Sequence, residues 1–153
     1  MKHTLRLTLA AACAVLAAAP ALAQTGALRT ERTLTLELAS QIATSTVAAC
    51  QAKGYAVSAA VVGRAGNLRV LLRADNAGPH TIESARQKAF TSASARNNTQ
   101  AMMEGAQKNP GAANLVHLPG FLLLGGGVPV RAGDEVVGAV GVGGAPGGHL
   151  DEQ

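Results

Sequence analysis

The run from Glu135 to Val142, Glu-Val-Val-Gly-Ala-Val-Gly-Val, offers no polar face. In an extended chain Val136, Gly138, Val140 and Val142 fall on one side, and Val137, Ala139, Gly141 and Gly143 on the other. Such a strand needs cover on both faces. This predicts a central strand of a sheet with layers above and below. The second set is small enough for a helix to approach closely.

The remaining elements fit around that strand. Val128-Pro129-Val130-Arg131, the turn Ala132-Gly133-Asp134 and the central run read as a hairpin. Pro129 places its strand at an edge, because proline has no amide to give a neighbour. A second hairpin pairs Ala56 to Val62 with Leu68 to Arg73 across the Gly63–Asn67 turn cluster. Leu68, Val70 and Leu72 share one face there, and Arg69 and Arg73 the other. Hairpin connections between helical stretches predict an α+β fold with an antiparallel sheet.

Two longer helices are expected. Thr35 is the N-cap of the first, with Glu37 at the positive end of its dipole. Ala39, Ile42, Ala43, Thr46, Ala49 and Cys50 form its inner face, and Gly54 suits the left-handed position after it. The second runs from Ile82 to about Arg96, with Thr81 as N-cap and Ile82, Ala85, Ala89, Phe90 and Ala93 as its apolar stripe. Thr99 caps a short helix reaching about Glu104, where Gly105 weakens it, and Pro110 stops any continuation. Phe121 to Leu124 is a short apolar run before Gly125-Gly126-Gly127.

Residues 1–23 read as a secretory signal. Lys2 and Arg6 are cationic, Leu7 to Ala19 is almost wholly apolar, and Ala21-Leu22-Ala23 is a small-x-small cleavage site. The apolar core falls short of the ~20 residues that a membrane span needs. The mature domain is therefore expected at 24–153, in the periplasm or secreted. Losing Lys2 and Arg6 leaves 11 basic residues against 9 acidic ones, a net charge of about +2. The cations are scattered, and Tyr55, Phe90 and Phe121 are the whole aromatic set, so nucleic-acid binding is excluded. Cys13 leaves with the signal, and Cys50 is left as a buried small hydrophobe without a disulfide partner.

The densest set of ligand-competent groups lies between Ala74 and Ala93: His80, Glu83, Arg86 and Lys88. Gly78-Pro79 turns the chain just before the helix, which puts His80 at a loop mouth. Arg86 and Lys88 lie two apart and point in different directions. One is expected to pair with a carboxylate such as Asp75 while the other reaches a ligand. His117, Tyr55, Met102 and Met103 are further donors, and His149 lies in a glycine-rich solvated tail. The triple glycine lacks the Lys-Ser/Thr of a phosphate loop, so a tight strand entry or a close subunit approach is expected there. No Gly-x-Ser-x-Gly elbow is present.

Three segments together resemble the GlcG/HbpS family of small haem-binding-type proteins. They are the hairpin Gly66-Asn67-Leu68, the stretch from Asp75 through Arg86-Gln-Lys88-Ala-Phe90-Thr91, and Leu118-Pro119-Gly120 through Gly125-Gly126-Gly127-Val-Pro129-Val-Arg131 to Val142. The resemblance implies a profilin-like antiparallel sheet of about five strands flanked by helices, and assembly into homo-oligomers. It also implies a final helix beyond Asp151-Glu152, and the expected domain lacks that helix. For function it implies non-covalent haem storage, transport or sensing. Haem needs an axial donor and cations for its propionates. On that reading His80 is the iron ligand, with Arg86 and Lys88 as cofactor-binding cations. Two alternatives stand beside it: a protein handling a small organic acid such as glycolate, and an oligomeric scaffold without a small ligand.

Overall fold

The computed structural model describes residues 28–153. The expected signal, its cleavage site and Cys13 lie outside these residues. Residues 31–153 form one compact unit.

Thr35 begins the first helix, its hydroxyl accepting the Leu38 N–H, and α1 runs over Leu36–Ala52. Gly54 ends it at φ +82°, the conformation a glycine after a helix adopts most readily. The first hairpin follows as β1 (Ser58–Gly63) and β2 (Leu68–Arg73), then the helices α2 (His80–Ala95), α3 (Thr99–Lys108) and α4 (Pro110–Ala113). After a 3₁₀ turn at Asn114–His117 come β3 (Gly127–Ala132), β4 (Glu135–Gly143) and the single turn α5 (Gly148–Asp151).

The described sheet has four strands in the order β2-β1-β4-β3, all antiparallel to their neighbours. The expected fifth strand is absent among the described residues, where Phe121 to Leu124 forms no strand. Pro129 lies on the edge strand and β4 is central, as the sequence predicts.

Helices cover both faces. On one, Ala39 and Ala43 of α1 pack with Leu34, Val61 and Val137. On the other, Ala85, Ala89 and Ala93 of α2 pack with Ala60, Val62 and Ala139. Alanines bury little apolar area, so cohesion here comes from close approach. Gly141 makes it possible: a Cβ there would strike the Ala85 carbonyl and the Ala89 amide of α2. Phe90 closes the end of this layer, meeting Phe121 edge to face at 6.1 Å and lying over the Gly66 turn.

Several local expectations are corrected. Helix α2 starts at His80, two residues early, after Pro79, whose fixed φ suits a helix start. The Thr81 hydroxyl caps nothing. It donates to the Gly78 carbonyl at 2.6 Å, so Ser58 supplies the proton of the buried 2.7 Å Ser58–Thr81 bond. Ile82 is exposed, and the buried face of α2 takes in Thr81, Lys88, Thr91 and Ser92 instead. Ala49 is likewise exposed on α1. Asn98, rather than Thr99, precedes α3, which runs through Gly105 to Lys108. Thr99 accepts the Gly127 N–H and donates to the Leu124 carbonyl, both at 2.7 Å, and so pins the glycine run to the helix.

Candidate functional site

His80, Ser84 and Lys88 stand at positions i, i+4 and i+8 of α2, which puts them in one row along the helix. Successive members are about 6 Å apart, at 1.5 Å of rise per residue. The row forms one wall of a cavity of about 250 Å³. The glycine-rich segment Gly144–Gly148 forms the other wall, with Leu124 and Asp151 completing it.

Lys88 lies at the buried end of the row. Its ammonium donates to Asp151 Oδ2 at 2.7 Å and to the Val142 carbonyl at 2.9 Å. The two side chains are 2% and 3% exposed. Asp151 Oδ1 accepts the Ala145 N–H at 3.0 Å, so both of its oxygens are engaged. The glycine run is needed on this side too. A Cβ on Gly126 would lie 3.0 Å from the Lys88 ammonium and 2.7 Å from the Asp151 Cβ. This is the tight strand entry that the triple glycine predicts.

His80 is the exposed end of the row. Its ring folds back against Gly78, where a Cβ would lie 2.7 Å from Cε1. Ser84 lies between, half-buried, and its hydroxyl donates to the Thr81 carbonyl at 3.2 Å.

The structure brings His80 and Lys88 to one cavity and leaves Arg86 outside its lining. Arg86 grips Glu83 with two N–H groups on the helix surface, one of them at 3.0 Å. That hydrogen bond holds the Glu83 carboxyl below the usual range and raises the guanidinium above its own. The carboxylate that pairs with Lys88 is Asp151, not Asp75, which is exposed. Ser84 and Asp151 were missed in the sequence. The i, i+8 spacing from His80 to Lys88 contains the signal for Ser84 at i+4, whereas 63 residues of separation leave none for Asp151.

The other candidate donors lie elsewhere. Met103 lines a more apolar groove of about 270 Å³ with Ala106, Gln107, Ala113, Val116 and Leu123. His117 and His149 are exposed, and Tyr55 is packed with Cys50, Val57 and Val142. Cys50 is buried, and burial, followed by the Asp151 charge, pushes its thiol up. Among the described residues no cluster of three or more His, Cys, Asp or Glu side chains is placed to hold a metal ion. None of their helices is long and apolar enough to cross a membrane.

These features define a class: a small α+β protein with a four-stranded antiparallel sheet between helices and a modest cavity at the start of α2. The profile of the family described as "Haem degrading protein HbpS-like" matches residues 34–153, and the chain belongs to that family. It is 33% identical over 115 residues to Protein GlcG of Escherichia coli (strain K12), covering 75% of this chain and 84% of that protein. The crystal structure of a Streptomyces reticuli HbpS double mutant superposes with a TM-score of 0.79 at 46% identity, over 90% of this chain and 92% of that one. A PduOC:heme complex, at 21% identity and TM-score 0.69 over 78% of this chain and 88% of that one, shares the fold.

Proposed function

We propose that this protein binds haem non-covalently in the periplasm or after secretion. Binding is the step that haem storage, transport, sensing and degradation have in common, and the family's description names haem. The single observation that carries the reading is the His80 imidazole. It is exposed at a cavity rim and makes no hydrogen bond to another described group. A neutral imidazole nitrogen is a standard iron donor.

Size limits how haem sits. The cavity beside His80, of about 250 Å³, falls below the ~300 Å³ at which pockets begin to enclose drug-sized ligands. Haem held by His80 would therefore rest largely outside this cavity. Arg86 is close in sequence and exposed enough to meet a propionate once it lets go of Glu83. Lys88 is committed to Asp151. Export is supported by the cationic, apolar and small-residue order of residues 1–23. Self-association belongs to the same proposal, and the exposed Leu36, Leu38, Leu68 and Leu72 favour it. A clean monomer in light scattering would remove that part.

Haemin titration of the mature protein tests the central claim. The expected result is a saturable Soret shift that moves and weakens in His80→Ala. An unchanged spectrum and affinity in that variant would free His80 of the role. Binding no tighter than to an unrelated basic protein would end the haem reading.

A further inference from the structure

Asp151 stands between two cavities and lines both. One is the His80–Ser84–Lys88 cavity of about 250 Å³. The other, of about 260 Å³, is lined by Cys50 and Lys53 of α1 with Leu150, Asp151 and Gln153. Each alone falls short of the ~300 Å³ at which an organic ligand is enclosed. The partition is carried by the single turn α5 and the two residues after it. Polar contacts hold this segment, and no apolar core does. From Gly148 to Gln153 the only buried residue is Asp151. Its Oδ2 accepts from the Lys88 ammonium at 2.7 Å, Glu152 accepts the Gln100 N–H at 3.0 Å, and Gln153 accepts from the Lys53 ammonium at 3.5 Å. A four-residue helix has no stability of its own. Gly147-Gly148 provides a hinge without side chains at its start. Segments with few buried apolar contacts open before the rest of a fold does.

While the segment is closed, the enclosed Lys88–Asp151 pair is neutral and calls for no further anion. Withdrawal changes that balance. The two cavities join, and their lining keeps Lys53, His80 and Lys88 but no carboxylate, because Asp151 is the one acid in either. We infer that α5 is a displaceable plug, and that the joined pocket beneath it takes a drug-sized organic anion whose acid group replaces Asp151 at Lys88. Asp151 is then a built-in competitor. The closed state lowers the apparent affinity in proportion to the fraction of molecules that are open. Haem is one such anion, and the opened pocket gives it more room beside His80 than the closed cavity does. That case rests on the binding proposed above, whereas the plug does not.

Hydrogen exchange and ligand titration of the intact mature protein test the plug. The Leu150 and Asp151 amides, which donate to the Gly147 carbonyl, should exchange about tenfold faster or more than the Val142 amide of β4, which donates to Gly126. Glu152 fastens the segment from outside both cavity linings. Glu152→Ala should speed exchange at Leu150 and Asp151 and leave Val142 unchanged. It should also tighten binding of haemin and of the flat anionic dye anilinonaphthalene sulfonate by about tenfold, by raising the open fraction. Asp151→Asn, which removes the competing charge, should tighten both as well, and Glu152→Ala decides if that variant does not fold. Dye binding that tightens in Glu152→Ala without any haemin binding sinks the haem proposal and leaves the plug standing. Leu150 and Asp151 amides that exchange together with Val142, or affinities for both probes that fall or stay the same in Glu152→Ala, overturn the plug. Haemin binding that still depends on His80 survives that result.

Discussion

The Lys88 ammonium stands 2.7 Å from the Asp151 carboxylate, and both side chains are almost fully enclosed. The contact joins the middle of α2 to the last turn of the described chain. Next to it, Glu152 accepts the Gln100 N–H at 3.0 Å in the first turn of α3. Two consecutive acids thus fasten the tail to two different helices.

Breaking that pair on one side leaves a charge without an answer in an enclosed site. Lys88→Met is expected to lower stability by about 3–5 kcal/mol. The double variant Lys88→Met/Asp151→Leu is expected to recover much of the loss, because no lone charge remains. Urea midpoints of the two variants and the parent check this. A loss below about 1 kcal/mol in the single variant would mean that water reaches the pair.

Two glycines give opposite outcomes for the same added methyl. Gly141→Ala drives a Cβ into the α2 backbone at Ala85 and Ala89. It should cost about 1–3 kcal/mol or more, because the helix has to move off the sheet. Gly105 is helical with nothing within 4 Å of the added atom. Gly105→Ala should raise stability by about 0.5–1 kcal/mol by removing backbone freedom from the unfolded chain. Thermal melts of both variants decide the matter, and equal shifts would contradict the close α2–β4 contact.

Cys50 predicts an alkaline weakness. Burial raises its folded pKa, with the Asp151 charge adding to the effect. The unfolded thiol releases its proton near about pH 8.5, while the folded one still holds it. The folded state therefore binds more protons in that interval, and stability falls as pH rises from the unfolded pKa toward the folded one. Below that window the contribution is fully present. Urea midpoints between pH 7.5 and 10 should decline more steeply for the parent than for Cys50→Ala. Iodoacetamide should modify the folded thiol more slowly than a free thiol at pH 8. Parallel slopes in the two proteins would count against the enclosed thiol.

The exposed Glu83–Arg86 pair gives the reverse sign on a small scale. Its hydrogen bond lowers the Glu83 pKa. The contribution is present above the unfolded carboxylate pKa and fades as pH falls through the folded one. Glu83→Gln should cost no more than about 0.3–0.5 kcal/mol at neutral pH, with water screening the charges. Most of that difference should vanish by pH 3, as read from melting temperatures.

Much of the frame was legible because it is written in short-range terms. The two-sided pattern of β4 and the proline of β3 fixed their places in the sheet, and Thr35 and Gly54 bracketed α1. The inner face of α2 was read in part. Ala85, Ala89 and Ala93 are buried as expected, whereas apolar periodicity also favoured the exposed Ile82. Thr81, Lys88 and Thr91 are buried too, and they enter the core through partners far away in sequence. Ser58 and Asp151 carry no local mark of the threonine or lysine they meet. His80 and Lys88 were found as residues, but their common cavity depends on the distant glycine segment 144–148.

The bare side of β4 has a consequence for how this protein can be damaged. Helix α2 rests directly on backbone at Gly141, so the imidazole, hydroxyl and ammonium ride on it like pegs on a rigid bar. One methyl group at a position outside the cavity lining displaces all three together. The cavity can thus change shape while every atom lining it keeps its identity, and a survey confined to those atoms would not find the cause.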